Sequence, residues 1–252
     1  MKNKNNYLNK RKYVELSLPV APTCNMMCSF CTKNIECLCN VDEPKYIRRI
    51  LTPRQAVKYA IENVTSNKNI NTILINGPGE PLANLQTFEV LRRLNKFLPT
   101  YFYSISSNGL DLYDKIDLLA ELNVNSILVS FNAIYNETIS VLYSRIIKNN
   151  EIINDSIKIK EELMKGQIEG IKKCIDYGIK LKVRCMFFPG INDNDIISIT
   201  SICKQLGVED IEYISCYPSG KLKNIHIPTL KDLEDKKEEV SRLLKSLGEE
   251  NF

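Results

Sequence analysis

Three cysteines, Cys24, Cys28 and Cys31, stand at Cys-x3-Cys-x2-Cys spacing directly behind the apolar run Val14-Glu-Leu-Ser-Leu-Pro-Val20. A run of that length and composition reads as a strand, so the thiols share one short loop at a strand's end. Three thiolates in one loop can hold three irons of a 4Fe–4S cluster. They leave the fourth iron open to a chelating ligand, which adds chemistry to electron transfer. The same thiols can close a tetrahedral zinc site with Cys37 or Cys39 as the fourth ligand, or they can be unrelated buried thiols.

Behind this loop, strand and helix patterns alternate from about residue 13 to about 217, which predicts a parallel α/β fold. Strands are expected over 13–20, 70–75, 101–106, 126–131, 181–188 and 211–217, short apolar runs of the kind buried on both faces. Thr52-Pro53-Arg54-Gln55 offers an N-cap, a proline at the first helical position and a glutamine three residues past the cap. Further helices are marked by Leu91, Leu94 and Leu98, by Ile116, Leu119 and Leu122, by Leu163 to Ile175, and by Ile196 to Leu206. Six β/α units are too few for a closed eight-stranded barrel. They predict a partial (β/α)6 barrel with its active site at the carboxyl ends of the strands. Every unusual loop falls there: the Cys loop, Asn76-Gly-Pro-Gly-Glu-Pro81, Ser106-Ser-Asn-Gly109, Ser130-Phe-Asn132 and Phe188-Pro-Gly-Ile-Asn-Asp193. The long stretch 146–162 is expected to be a lid over that rim. The expected division is a disordered basic tail over 1–12, a barrel over 13–228, and a C-terminal amphipathic helix within 229–252 packed on it.

Bulk properties narrow the partners. The 252 residues, 44% hydrophobic, suit one domain with a sizeable core. The net charge of +4 comes largely from Lys2, Lys4, Lys10, Arg11 and Lys12, a solvated start with no nucleic-acid motif beside it. No apolar stretch is long enough to span a membrane, and no apolar run follows the basic start as in a secretory signal. Nine cysteines in such a chain predict reduced thiols and metal binding in a cytoplasm. Trp is absent and His226 is the sole histidine, which argues against histidine-centred catalysis.

The Cys24-x3-Cys28-x2-Cys31 loop, with Phe30 just before the third thiol, resembles the signature of the radical S-adenosylmethionine (SAM) superfamily, and Gly77-Pro-Gly-Glu-Pro81 resembles its GGEP-type motif. The resemblance implies a 4Fe–4S cluster on Cys24, Cys28 and Cys31 and SAM on its open iron. It implies that Gly77, Gly79 and Glu80 dock the methionyl amine. It further implies that Ser106, Asn108, Ser130 and Asn132 hold ribose or carboxylate, and that Phe30 packs near the adenine. The enzyme it describes is oxygen-sensitive and takes electrons from a low-potential donor, flavodoxin or ferredoxin.

A narrower resemblance covers about 13–195. Val20-Ala-Pro-Thr-Cys24-Asn, Cys37, Leu51-Thr-Pro-Arg-Gln-Ala-Val57, Gly77 to Asn84, Ser107-Asn-Gly-Leu110, Gln167-Ile-Glu-Gly170 and Val183 to Asp193 are similar to the nitrogenase-cofactor maturases of the NifB family. That resemblance implies metallocofactor assembly, with an iron–sulfur cluster carrier as partner. The departures are specific. Residues 1–23 hold neither the Cys nor the His that the family has there, Ser104 stands where it has a Cys, and no Cys pair follows Cys216. Of the auxiliary ligands only Cys37 remains. Modification of a small metabolite or peptide is the alternative reaction, and a non-catalytic iron–sulfur or zinc module the alternative class. Cys37 and Cys39 can each ligate a second metal, shape the pocket, donate a thiol or be plain loop residues. Cys185 and Cys216 can point into the barrel or fill the core; Cys174 and Cys203 read as packing residues. Arg184, if it points inward, needs an anion, either the SAM carboxylate, a substrate acid or an ion-pair partner.

Overall fold

The computed structural model describes residues 14–32, 37 and 49–246. The basic tail and Cys39 lie outside them. In chain order the elements are β1 (Val14–Pro19), β2 (Met26–Cys28), α1 (Pro53–Ser66), β3 (Ile70–Asn76), α2 (Leu85–Phe97), β4 (Phe102–Ser107), α3 (Leu112–Glu121) and β5 (Val124–Ser130). Then follow α4 (Asn136–Leu142), β6 (Tyr143–Lys148), β7 (Glu151–Ile153), α5 (Ser156–Met164), α6 (Gly170–Asp176), β8 (Lys180–Phe187), α7 (Asp193–Gln205), β9 (Asp210–Ser215) and α8 (Leu230–Ser246).

Six strands form one parallel sheet in the order β1-β3-β4-β5-β8-β9, matching the six expected runs to within two residues at each end. Alternation along each strand separates two faces. Leu16, Leu18, Ile73, Ile75, Ile105, Ile127, Val129, Val183 and Cys185 turn outward into one apolar cluster with Ala60, Leu91, Leu94, Ile116, Ile171, Ile199 and Cys203 of the covering helices. The inner face differs from the expected uniformly apolar strand. It carries Ser17, whose hydroxyl donates to Asn76 Oδ1 at 3.0 Å, and Ser126, whose hydroxyl donates to Ser104 Oγ at 2.9 Å. Polar residues are tolerated there because the sheet is an open half-barrel with a lumen.

The capping box expected at Thr52 is formed. The Gln55 N–H donates to Thr52 Oγ1, and the Thr52 N–H donates to Gln55 Oε1 at 3.1 Å. The stretch 146–162 is no lid. Tyr143–Lys148 and Glu151–Ile153 form a hairpin through Asn149 and Asn150, both at positive φ, and α5 begins at Ser156. The hairpin pairs with β2, making a second, three-stranded sheet that holds Met26–Cys28 of the Cys loop. The segment's polar, Asn-rich composition hid two short strands, of which β6 buries Tyr143, Ile146 and Lys148. Last, α8 lies against α7 and β9 through buried Val240 and Leu244, and its Lys236 ammonium pairs with Asp193 at 3.2 Å.

Thr52→Ala removes one side of the capping box and should cost about 1 kcal/mol. Thermal unfolding should therefore shift down by about 2–4 °C; an unshifted midpoint would show that the cap contributes nothing.

Candidate functional site

The Cys loop is held to the strand ends by backbone. After β1 the chain continues alongside the loop behind β3: Val20 N–H donates to Asn76 O at 3.0 Å, Gly79 N–H to Ala21 O at 2.9 Å, and Glu80 N–H to Thr23 O at 2.9 Å. This approach is why glycines stand at 77 and 79. A Cβ on Gly77 would lie 2.5 Å from Ala21 Cβ, and one on Gly79 would run into the Thr23 carbonyl. The two glycines therefore serve the seam between loops. Asn84 completes it. Its Oδ1 accepts from the Thr23 hydroxyl at 2.8 Å, and its Nδ2 donates to Thr23 O at 2.8 Å and Glu80 O at 2.7 Å.

Glu80, expected to face a ligand ammonium, is 3% exposed and already surrounded by protein donors. Oε1 accepts from the Ser107 hydroxyl at 2.7 Å and Leu82 N–H at 3.0 Å, and Oε2 from Asn108 N–H at 2.7 Å. Burial nevertheless outweighs these bonds and pushes its pKa up to about 7. Asn108 is similarly engaged: its Nδ2 donates to Asn25 Oδ1 at 2.8 Å, and its Oδ1 accepts from Leu110 N–H at 2.9 Å. Asn25, inside the Cys loop, donates onward to Asp111 Oδ2 at 2.7 Å. Asp111 and Asp114 both receive the buried Lys148 ammonium, at 2.9 and 2.6 Å. Burial lowers the Lys148 pKa, but these two carboxylates win and hold it up. The loop behind β4, the Cys loop and β6 are thereby one polar unit.

On the other side, Asn132 Oδ1 accepts from Met186 N–H at 2.8 Å. Asn192 spans the ends of β5 and β8, donating to Asn132 O at 3.0 Å and Met186 O at 2.8 Å. Gln167 donates to the carbonyls of Asn108 and Ser130. Phe30 is fully buried against Phe188 at 5.0 Å and Tyr143 at 6.4 Å between ring centroids. From the far end of the chain, the Ser219 hydroxyl donates to Phe30 O and Lys221 N–H donates to Ser29 O at 2.6 Å, roofing the Cys loop.

The structure thus gathers the residues expected from sequence at 24–31, 77–80, 106–108 and 130–132 on one rim. Arg184 turns its guanidinium to Glu212, its in-register neighbour on β9, with Nε at 2.8 Å and Nη2 at 2.7 Å from Oε2. Glu212 is thus an ion-pair partner of the kind Arg184 was expected to need, and together with Lys182 the guanidinium lowers the Glu212 pKa against the effect of burial. Cys185 faces the helices, and Cys174 and Cys203 are buried thiols pushed up to about 12. Cys216 lies in the cluster around Phe30. Sequence reading missed Asn25, Asn84, Asn192, Gln167 and Lys148. Each is a buried polar side chain that bonds to backbone or to residues far away in sequence, Gln167 through its Nε2 alone, and no local signal announces such a partner.

Cys31 and Cys37 stand close enough to Cys24 and Cys28 to raise the pKa of those two thiols. For Cys28, burial comes first and the neighbouring thiols add to it. Cys24 is exposed at the mouth of the site, yet the protein crowded around it, with Glu80 and Cys37, also pushes its thiol up. Among the described residues, no three Cys, His, Asp or Glu are gathered tightly enough to hold a single metal ion. A cuboidal cluster places its three ligands on three separate irons and so asks for a wider set. The Ser106 hydroxyl is buried with no hydrogen-bond partner, a pole left for a bound molecule. The donor set and this orphaned hydroxyl fit a cluster with a chelating ligand better than a closed zinc site.

The fold and rim are those of a radical SAM enzyme, and the model of the Radical SAM superfamily matches residues 18–201: the chain belongs to that superfamily. As in that superfamily, its cofactors are a 4Fe–4S cluster and SAM. Within the superfamily the chain is NifB-like. It is 30% identical over 238 residues to the FeMo cofactor biosynthesis protein NifB of Chlorobaculum tepidum, covering 93% of this chain and 56% of that protein. It is 30% identical over 234 residues to NifB of Methanocaldococcus infernus, covering 92% and 76%. Among solved structures, SAM-bound SuiB of Streptococcus suis superposes with a TM-score of 0.62 at 15% identity, over 92% of this chain and 48% of that one. A radical SAM methyltransferase from Sphaerobacter thermophilus gives 0.60 at 18% identity, over 90% and 62%. These two share the fold.

Two outcomes follow from the seam. Gly79→Ala should abolish stable folding or cluster retention, because the collision is with backbone; a soluble variant that binds iron normally would refute it. Glu80 has a folded pKa of about 7 against an ordinary 4.5. Its proton therefore favours the folded state: the contribution is complete below about 4.5 and is lost as pH rises through 7. In cluster-free protein Glu80→Gln should destabilise by about 1–3 kcal/mol near pH 5. The gap to wild type should narrow by pH 8, as read from urea midpoints, and a gap that widens with pH would contradict the assignment.

Proposed function

We propose that Cys24, Cys28 and Cys31 hold the cluster and that SAM lies on the rim bounded by the loops behind β3, β4 and β5. Cluster-bound SAM supplies a 5′-deoxyadenosyl radical on reduction. The protein's part is to orient and to exclude water. The Gly77–Glu80 seam fixes the Cys loop against the sheet. Ser106 offers a free hydroxyl inside the lumen. Phe30, with Phe188 and Tyr143, forms the apolar wall, and the Ser219–Lys221 segment covers Ser29 and Phe30 of the Cys loop. Glu80 acts chiefly as the hub that binds Leu82, Ser107 and Asn108 into one surface. Its carboxylate retains acceptor capacity toward the methionyl ammonium.

The reaction proposed is metallocofactor assembly of the NifB kind, supported by similarity to FeMo cofactor biosynthesis proteins over nearly the whole chain. A low-potential flavodoxin or ferredoxin would supply electrons and an iron–sulfur carrier the precursor, in the cytoplasm. One observation favours a second reading. The lumen that would face the substrate is lined by hydroxyls, Ser17, Ser104 and Ser126, with Ser104 where the maturases carry a ligand thiol. That lining suits a small polar metabolite or a peptide.

The observation that carries the radical SAM site is the three-thiol loop stitched to the strand ends beside an orphaned buried hydroxyl. Anaerobically reconstituted protein should bind about four irons per chain, one cuboidal cluster. Changing Cys24, Cys28 and Cys31 together to Ala should remove the chromophore, and full iron content in that variant would end the assignment. The substrate is decided by product analysis. Reduced enzyme supplied with carrier-bound clusters should release 5′-deoxyadenosine and S-adenosylhomocysteine if it is a maturase. Release of 5′-deoxyadenosine without S-adenosylhomocysteine selects the metabolite or peptide reading.

A further inference from the structure

The chain from Ser156 to Asp176 is one helical rod whose middle, Lys165–Glu169, winds as a π turn between α5 and α6. A π turn adds a residue to the helical ladder at some cost in hydrogen-bond geometry, and such turns recur at functional sites. This one presents Gln167 to the rim. The side chain is 2% exposed, and its Nε2 donates to two carbonyls at once, Asn108 O at 2.8 Å and Ser130 O at 3.0 Å. Those carbonyls stand at the carboxyl ends of β4 and β5, the ends that carry Ser106, Asn108, Ser130 and Asn132. Both donor hydrogens of the amide are thus committed, and they set the gap between two neighbouring strand ends. The fit is tight. A Cβ on Gly166 would stand 2.6 Å from Gly109 O, and one on Gly109 would stand 2.8 Å from Gln167 Cγ.

The other half of the amide is unused. Gln167 Oε1 is buried and has no hydrogen-bond partner, as is the Ser106 hydroxyl. Buried orphans are few in a native fold and each asks for a reason. Two of them, on residues that belong to or brace the same pair of strand ends, point to a partner that is not part of the protein. SAM carries neutral donors that suit an amide oxygen, namely the ribose hydroxyls and the adenine amine. A planar side chain with two donors on one nitrogen and an acceptor beside them is what Gln and Asn alone supply, and Asn is one methylene shorter.

We propose that Gln167 binds and positions SAM: its NH2 fixes the spacing of the Asn108 and Ser130 carbonyls while its Oε1 accepts a hydrogen bond from a hydroxyl or amine of the cofactor. The proposal rests on the cofactor site assigned above. The test uses full-length, cluster-reconstituted protein. Gln167→Met keeps the length and loses every polar contact. It should remain folded but unfold at a lower temperature than wild type, because two buried carbonyls lose their donor, and it should bind SAM at least about tenfold more weakly by calorimetry, the scale of one lost hydrogen bond or more. Wild-type protein that fails to bind SAM would overturn the site as a whole. Wild-type binding with equal affinity in the folded variant would overturn the role of Gln167 alone. A variant that does not fold leaves the unmodified protein to decide. The chain has four glutamines, and Gln55, Gln86 and Gln205 are all exposed. With selective 15N-glutamine labelling, the one side-chain NH2 pair protected from solvent exchange is therefore Gln167. Its resonances should move when SAM is added, and an unmoved pair overturns the proposal.

Discussion

The seam between residues 20–23 and 76–80 is the constraint on which the site depends. Three backbone hydrogen bonds run along it, and they exist because Gly77 and Gly79 let one loop approach another closer than any side chain permits. Asn84 locks the same seam with both ends of its amide. Everything at the rim is referred to it: Glu80 hangs from it, and the loop behind β4 hangs from Glu80. The Cys loop gains its second attachment only through β2 and the hairpin β6–β7. A three-thiol loop on a flexible tether would present its ligands in many arrangements; this one is clamped by protein contacts on both sides.

Polar residues were harder to assign than apolar ones. The six strands were legible because each is a short apolar run closed by turn residues, and α1 was legible because its capping box is local. The site residues at 24–31, 77–80, 106–108 and 130–132 were legible as motifs, but their work was not. Gly77 and Gly79 also serve a loop-on-loop approach that the motif does not announce. Glu80 also binds Leu82, Ser107 and Asn108 together. Arg184 was known to need an anion, yet nothing local named Glu212, which reaches it only through parallel register.

The hairpin shows the opposite failure. The chain 143–153 carries four isoleucines, one lysine, one arginine and a double asparagine. Asn149 and Asn150, both at positive φ, could have announced a tight turn. Its strands were passed over because they pair with β2, a three-residue strand too short to be read from sequence. The buried amides Asn25, Asn84, Gln167 and Asn192 share that obscurity, since an isolated polar residue in a sequence gives no hint of whether it is solvated or satisfied.

The roof over the Cys loop has a temporal consequence. Ser219 meets Phe30 across 189 residues of chain, so the loop's last attachment is made by nearly the final strand-exit to be synthesised. A chain still emerging from the ribosome owns all three thiols early but has no cover for them until residue 219 is free to fold back. Residues 219–221 must therefore be made and folded back before Ser29 and Phe30 gain this cover.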